Sequence, residues 1–503
     1  MNHLLLGLAA NSALPSELVD RLIGIADAEL ASALAGRADL SRAQAVALAS
    51  RCGVTSQQLV YEGKLSATDV DPVTQPDAAL ALLDAGGGLE EWALLLVADP
   101  DHRRREKLTG CRGLPADVVE RLASDPDVRV VAELALWATP EVAAGLASHP
   151  HAEVRRAVAG NEATPPAVLA ALLTGEGVPP AARCLVCDRE ETPFVHDSQC
   201  QRVGCEMLPG ASCDGSHEST LHDTWQAVLR NPATPTDAVV PFAHHPSVLL
   251  RWALADRPDL PPEVCALLAV DATPGIRADL AGNPAIDDDV IRVLAGDRGH
   301  DVQRKLAHNP RVPLDVLIRL VGVAKIGATL LPRIAAASPL EVEQLAESPN
   351  AAVRMLLARR RDLPPGFRDA LAADPDAKVV KAVASHPGLS EAQLRAMVER
   401  HGAQVVAAVA ANPGATGPLL EDLTRREPSV RKVFREVARH RNATAPALLA
   451  CLVDDRVRPV AAGHSALPPQ AVAELLADAD GEVVEAAAAN PALPVAVMAE
   501  LVP

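Results

Sequence analysis

The chain has 503 residues, a formal net charge of −18 and only 2% aromatic residues. So acidic a balance repels phosphate backbones and anionic lipid surfaces, and so few rings leave little for stacking bases, which argues against general nucleic-acid or membrane-surface binding. No charge-free apolar run is long enough for a membrane helix, and the opening MNHLLLGLAANSALPSELV lacks a basic leader and a cleavage region. A cytoplasmic protein with reduced thiols is therefore expected.

Residues 1–60 carry faint helical units. Asn11 and Pro15 precede the apolar set Leu18, Leu22 and Ile23, and similar starts lie near Arg37 and Cys52. Residues 61–100 hold a loop-like GKLSATDVDPVTQP and the helix-breaking Gly86, Gly87 and Gly88. The span 1–100 thus reads as degenerate repeats forming an atypical cap. A firmer pattern over 101–173 begins at Cys111, where Pro115 marks a helix start and Val118, Val119 and Leu122 share one face.

The clearest copy is 281–320, in which Ala-Gly-Asn-Pro at 281–284 returns as Ala-His-Asn-Pro at 307–310, a period of 309 − 283 = 26 residues. Periods of this size mark stacked repeats. Further copies fill 221–503. Each places a bulky residue in one slot (Val302, Val353, Val379, Val405, Val483) and alanine in another (Ala307, Ala358, Ala384, Ala410, Ala488), so each unit reads as two helical pieces pressed closely together. An anchor residue follows: Asn161, Asn231, Arg257, Asn283, Asn309, Arg360, Asn412 or Asn490. Locally, asparagine there tolerates left-handed backbone and bonds nearby amides, while proline ends one helix or opens the next. His386, His440 and His464 fall in the same slot and read as turn residues, not as ligands or catalysts.

Taken together, RNPATPTDAV, AGNPAIDDDVIRVL, AHNPRVPLDVLIRL and AANPALPVAVMAEL, with SDPDVRVVAEL and HPHAEVRRAVAGN as second halves, resemble the leucine-rich repeat variant family. The resemblance covers most of 101–503 outside one insertion and extends faintly over 1–60. It implies an all-α fold: a right-handed α/3₁₀ superhelical repeat solenoid, HEAT-like, of about 24–26-residue units. Packing of two full α-helices per unit is the nearest alternative.

The insertion lies between Asn161 and Asn231, whose separation of 231 − 161 = 70 leaves 70 − 26 = 44 additional residues, assigned to 174–220. That segment has little helical periodicity and too few large apolar residues for a core, so it needs a staple. Five of the nine cysteines crowd there: Cys184, Cys187, Cys200, Cys205 and Cys213. Cys184 and Cys187 in a Cys-x-x-Cys spacing can converge on one ion. Cys200 and Cys205 form a looser second pair, with Cys213 and His217 as substitute ligands. Structural zinc is one reading and absence of metal is another. The family resemblance adds a third, a [4Fe–4S] cluster, since some members carry a cysteine-rich segment that binds one at the beginning of the array.

Elsewhere, Cys265 and Cys451 occupy apolar helix slots and read as inert core thiols, and Cys52 and Cys111 lie near anchor positions. The acidic run Asp287–Asp289 reads as first-turn capping, Trp92, Trp137, Trp225 and Trp252 as packing residues, and the basic runs Arg103–Arg105 and Arg359–Arg361 as solvated helix ends. No phosphate-binding glycine loop, nucleophile elbow, His-Glu-x-x-His pair or dinucleotide fingerprint occurs. The expected function is a non-enzymatic scaffold binding an unidentified protein partner. An iron–sulphur redox or sensing protein and a helical-repeat nucleic-acid binder are the competing readings.

Overall fold

A computed structural model describes residues 2–188, 194–197, 199–200, 212–322, 326–426 and 430–503. Among them the fold is helical throughout, apart from the two-residue strands Phe194–Val195 and Ser212–Cys213. The chain forms two compact units, one built from Val70–Ile326 and the other from Met1–Asp69 together with Gly327–Pro503. In each, the repeating element is a pair of helices.

The stretch 281–320 shows why. Asp287 accepts a hydrogen bond from the Val290 amide and caps the helix Asp288–Ala295, whose first-turn carboxylates Asp288 and Asp289 suit the positive helix end. That helix buries Val290, Ile291 and Leu294, and its neighbour His300–His308 buries Val302, Leu306 and Ala307. The bulky and alanine slots are buried in the other copies too, as at Val353 and Ala358, Val379 and Ala384, and Val483 and Ala488. Most units pair two α-helices. Among the described residues 3₁₀ geometry is confined to Gly53–Thr55, Ala67–Asp69, Val240–His244 and Gly402–Gln404, a smaller share than the family resemblance implies.

The anchor residues do something their local sequence does not announce. Asn283 and Asn309 have extended backbone, with φ −69° and −66°, not the left-handed conformation expected of them. Their side chains reach across to the preceding repeat. Asn309 donates from Nδ2 to the carbonyls of Ala281 (2.9 Å) and Asn283 (2.8 Å), while its Oδ1 accepts from the Arg311 amide (2.9 Å). Asn283 does the same to Ala255 and Arg257, and Arg257 to Leu229 and Asn231. His440 donates to the Asn412 carbonyl through Nε2, because Nδ1 is engaged by the Asn442 amide. Asn, Arg and His thus alternate in one slot because each supplies an N–H long enough to satisfy buried carbonyls 26–28 residues back.

A second ladder runs nearer the surface. Arg105, Arg251 and Arg354 each pair bidentately with a carboxylate 20 residues on, at Asp125, Asp271 and Asp374, and Arg277 donates from Nε to Asp297. Each also donates to a carbonyl six residues back, for example Arg277 to Asp271. The arginine therefore ties the end of one helix to the turn that opens the next unit's second helix, a geometry suited to a planar guanidinium.

In the unit containing both chain ends, the ladder continues from Asn490 to Asn11. Asn11 donates to the carbonyls of Ala488 and Asn490, both at 2.8 Å, taking the place a following repeat would occupy. Arg37 then bonds Ala9 and Asn11, and Lys64 bonds Ala35. The helix Asn2–Ala10 lies against Gly481–Ala488 so closely that a Cβ on Gly7 would stand 2.2 Å from the Glu485 carbonyl oxygen. Residues 2–11 thus stack on the repeat that ends at Asn490 and carry its ladder onward within this unit.

Candidate metal centre

The insertion leaves the repeat ladder intact. Asn231 donates to the carbonyls of Ala159 (2.9 Å) and Asn161 (2.8 Å), as though the intervening 70 residues were the usual 26. The long helix Glu218–Arg230 consequently stacks on Ala152–Gly160, and the cysteine-rich segment is looped out between two consecutive members of the array.

It is looped out but docked. The Ala182 amide donates to the Pro150 carbonyl at 2.8 Å, and the Ala152 amide to the Arg183 carbonyl at 2.9 Å, forming a short parallel bridge. His151 caps the helix Ala152–Gly160 by accepting the Glu153 amide on Nδ1, which leaves Nε2–H to donate to Asp188 at 3.0 Å. Burial holds the His151 pKa below its ordinary value, against the pull of the Asp188 carboxylate. Arg155 sits in the slot of the arginine ladder, but Gly175 stands where its carboxylate partner would be. It donates instead to the His149 and Pro179 carbonyls, and burial lowers its pKa.

Against this surface four ligand atoms come together. The Sγ atoms of Cys184, Cys187 and Cys213 and a ring nitrogen of His217 lie within 4.8 Å of one another. Cys184 and Cys187 are brought together by a tight turn in which the Cys184 amide donates to the Cys187 sulphur at 3.1 Å. Cys213 is delivered by the antiparallel pairing of Ser212–Cys213 with Phe194–Val195, where it faces Phe194. His217 immediately precedes the helix Glu218–Arg230 and takes φ 58°, the only positive φ outside glycine among the described residues. Left-handed backbone costs a residue with a Cβ, so this is a locally disfavoured conformation held by its surroundings. It places the His217 Nδ1 3.5 Å from the Cys213 sulphur, to which the Gly215 amide also donates.

The chemistry of this group fits a soft, tetrahedral ion. Ligand atoms held about 2.3 Å from a single zinc stand roughly 3.8 Å apart, so a set already gathered within 4.8 Å needs only a small contraction. Backbone amides already donate to the sulphurs of Cys187 and Cys213, fixing where they point. Cys184 packs with Ala152 and Cys213 in a small apolar cluster, and burial without a neighbouring cation pushes its thiol up to about 12. A bound cation would reverse that shift, since metal ligation deprotonates a thiol.

Of the expected cysteine ligands, the structure therefore brings together Cys184, Cys187 and Cys213, joined by the substitute His217. Cys200 is half-buried and stands outside this group, and Cys205 lies outside the described residues. Cys111, Cys265 and Cys451 are buried packing groups. Burial pushes Cys111 and Cys451 up to about 12, and Cys265 is also raised by burial. Among the tryptophans Trp92 is buried, Trp225 packs edge-on to Phe242 at 6.0 Å, and Trp252 lies over Gly275 and donates to Asp279. Trp137 departs from the packing role expected of it, with 64% of its surface exposed. No helix among the described residues is long and apolar enough to cross a membrane.

No family model matches the chain, and no curated protein matches it. Among solved structures it is similar to a leucine-rich repeat variant with a novel repetitive protein structural motif, at 21% identity over 56% of this chain and 93% of that one, with a TM-score of 0.28. It is also similar to an engineered protein at 14% identity, covering 94% of this chain and 98% of that one, with a TM-score of 0.18. The fold assignment rests on the helices and ladders described above.

Proposed function

We propose that this chain is a non-catalytic, cytoplasmic protein-interaction scaffold whose looped-out insert is stapled by one structural zinc ion on Cys184, Cys187, Cys213 and His217. The observation that carries the metal reading is the convergence of four ligand atoms within 4.8 Å, delivered by a turn, a strand pair and a strained helix entry. Zinc would supply a fixed tetrahedral cross-link. Three thiolates and an imidazole fill its coordination, leaving no open position for a reacting water.

An iron–sulphur cluster is less well supported. A [4Fe–4S] cluster takes its four thiolates on four separate irons and therefore spreads them more widely than one ion does. Here the gathered set has three cysteines and one histidine.

The scaffold reading is supported by stacked helix pairs, which give extended faces, and by exposed apolar side chains on them such as Trp137, at 64%. Elemental analysis of the purified chain tests the metal: one zinc per chain in a colourless protein, lost in Cys213→Ser but kept in Cys200→Ser. Zinc-free protein, or a brown protein containing iron, would refute it. Affinity capture from the native cell, with and without residues 174–217, tests the scaffold; recovery of no specific partner in either form argues against it.

A further inference from the structure

The two basic runs of the sequence, Arg103–Arg105 and Arg359–Arg361, have opposite surroundings. In the first, Arg104 pairs with Asp77 and Asp99, and Arg105 with Asp125. In the second, only the anchor Arg360 has a carboxylate, Asp362 at 2.8 Å. The runs occupy different slots: Arg105 stands in the ladder slot, whereas Arg359 and Arg361 flank the anchor Arg360 and this unit's ladder arginine is Arg354. Among the described residues neither Arg359 nor Arg361 has a carboxylate within ion-pair distance, nor do Lys378 and Lys381 on the helix Ala377–Val383.

These four cations line one open cleft of about 790 Å³, together with His386. Asp362 is its one acidic lining residue among those described, and Arg360 already neutralises it. Arg359 is half-buried, its one hydrogen bond among the described residues going to the Thr329 carbonyl at 3.3 Å, and burial lowers its pKa. His386 is 1% exposed and its Nδ1 has no hydrogen-bond partner, unlike the equivalent Nδ1 atoms of His440 and His464, which accept amides two residues on. The remaining wall is Ala328, Leu330, Met355, Ala382 and the polar Ser385. In a chain of net charge −18, four cations without a carboxylate partner gathered beside an apolar wall sum to a local positive potential that suits an anion.

We propose that this cleft binds a phosphorylated small molecule with an apolar body, of the nucleoside diphosphate class. Arg359, Arg361, Lys378 and Lys381 neutralise the phosphates, and Leu330, Met355 and Ala382 receive the body. The cleft volume is ample for such a ligand. Guanidinium groups suit bidentate contact with phosphate oxygens, and ammonium groups supply point charge.

The test is calorimetric titration of the full chain with ADP, pyrophosphate, adenosine and a 5′-phosphorylated single-stranded oligonucleotide. ADP binding at least about tenfold tighter than adenosine, and weakening steeply with salt, is the expected result. Lys381→Glu and Arg361→Glu each weaken ADP by at least about tenfold, whereas Lys432→Glu, a charge reversal on an exposed lysine elsewhere in the same unit, changes it by less than about twofold. Circular dichroism confirms that each variant is folded. The proposal is overturned if folded protein binds neither ADP nor pyrophosphate at millimolar concentration, if Lys432→Glu weakens binding as much as Lys381→Glu, or if the oligonucleotide binds more tightly than ADP.

Discussion

Between Asn161 and Asn231 two ways of holding a chain together lie side by side. On the repeat side, Asn231 reaches back to the Ala159 and Asn161 carbonyls, a bond pattern repeated in unit after unit. Every rung is worth little by itself, about 1 kcal/mol per hydrogen bond, but leaving its carbonyls unpaired in a buried groove costs more. On the insert side, four ligand atoms meet once, beside a few hydrogen bonds that dock Ala182, Arg183 and Asp188 on the repeats, and the proposed metal would concentrate the rest of the holding at that one point. The repeats are therefore tolerant and distributed, and the insert is brittle and concentrated.

The sharpest way to break that contrast is to take away the proposed zinc. Structural zinc contributes on the order of 10 kcal/mol to small domains it organises. Chelation should therefore open residues 176–216 to limited proteolysis while far-UV circular dichroism of the helices stays nearly unchanged. Loss of helix in parallel with metal would mean that the insert and the repeats are one cooperative body.

Removing one rung should have a smaller and more local effect. Asn309→Ala strands two buried carbonyls and the Arg311 amide, and a loss of about 3 kcal/mol is expected. Hydrogen exchange should place the loss in 281–320, since neighbouring repeats in a stack are coupled only to each other.

Gly7→Val should separate the helix Asn2–Ala10 from Gly481–Ala488 at a cost of about 2 kcal/mol, because the new side chain meets the Glu485 backbone. Combined with Asn11→Ala it should show a non-additive effect in urea titrations, as both act on one contact. Weaker still, Arg277→Lys keeps the charge but loses the planar pairing with Asp297 and the Asp271 carbonyl, for about 1 kcal/mol.

The smallest effect is a titration. Glu341, hydrogen-bonded by Arg333 and then by the Ser338 amide it helps to cap, is held at about 2, below its usual carboxylate value. A depressed carboxylate stabilises the fold above its unfolded pKa, so this contribution is complete above about pH 4.5 and is lost progressively as pH falls towards about 2. Glu341→Gln should flatten the acid limb of the stability curve over that window, and an unchanged limb would remove the assignment.

How much of this the sequence discloses varies with the kind of information each feature needs. The 26-residue spacing of Asn283 and Asn309 and the buried valine and alanine slots are visible because helical stacking imposes a strict period on side-chain size. The ladder is less visible, because the interchange of Asn, Arg and His makes sense only once their shared acceptors in the previous unit are known. At the insert, Cys184 and Cys187 are legible as a pair from spacing alone. Preference for Cys213 and His217 over Cys200 depends on a strand pairing and a left-handed residue that no spacing encodes. The two basic runs look alike as strings, and they differ in slot: Arg105 stands in the ladder position paired with Asp125, whereas Arg359 and Arg361 flank an anchor.

The junction of Asn11 with Asn490 also has a consequence in time. The acceptors for Asn11 lie 477 and 479 residues further along the chain. At ribosomal rates of about 5–20 residues per second they emerge roughly 25–95 s after it. Throughout that interval the face of Asn2–Ala10 that will meet Gly481–Ala488 is uncovered, and it stays unmatched until Gly481–Ala488 has left the ribosome.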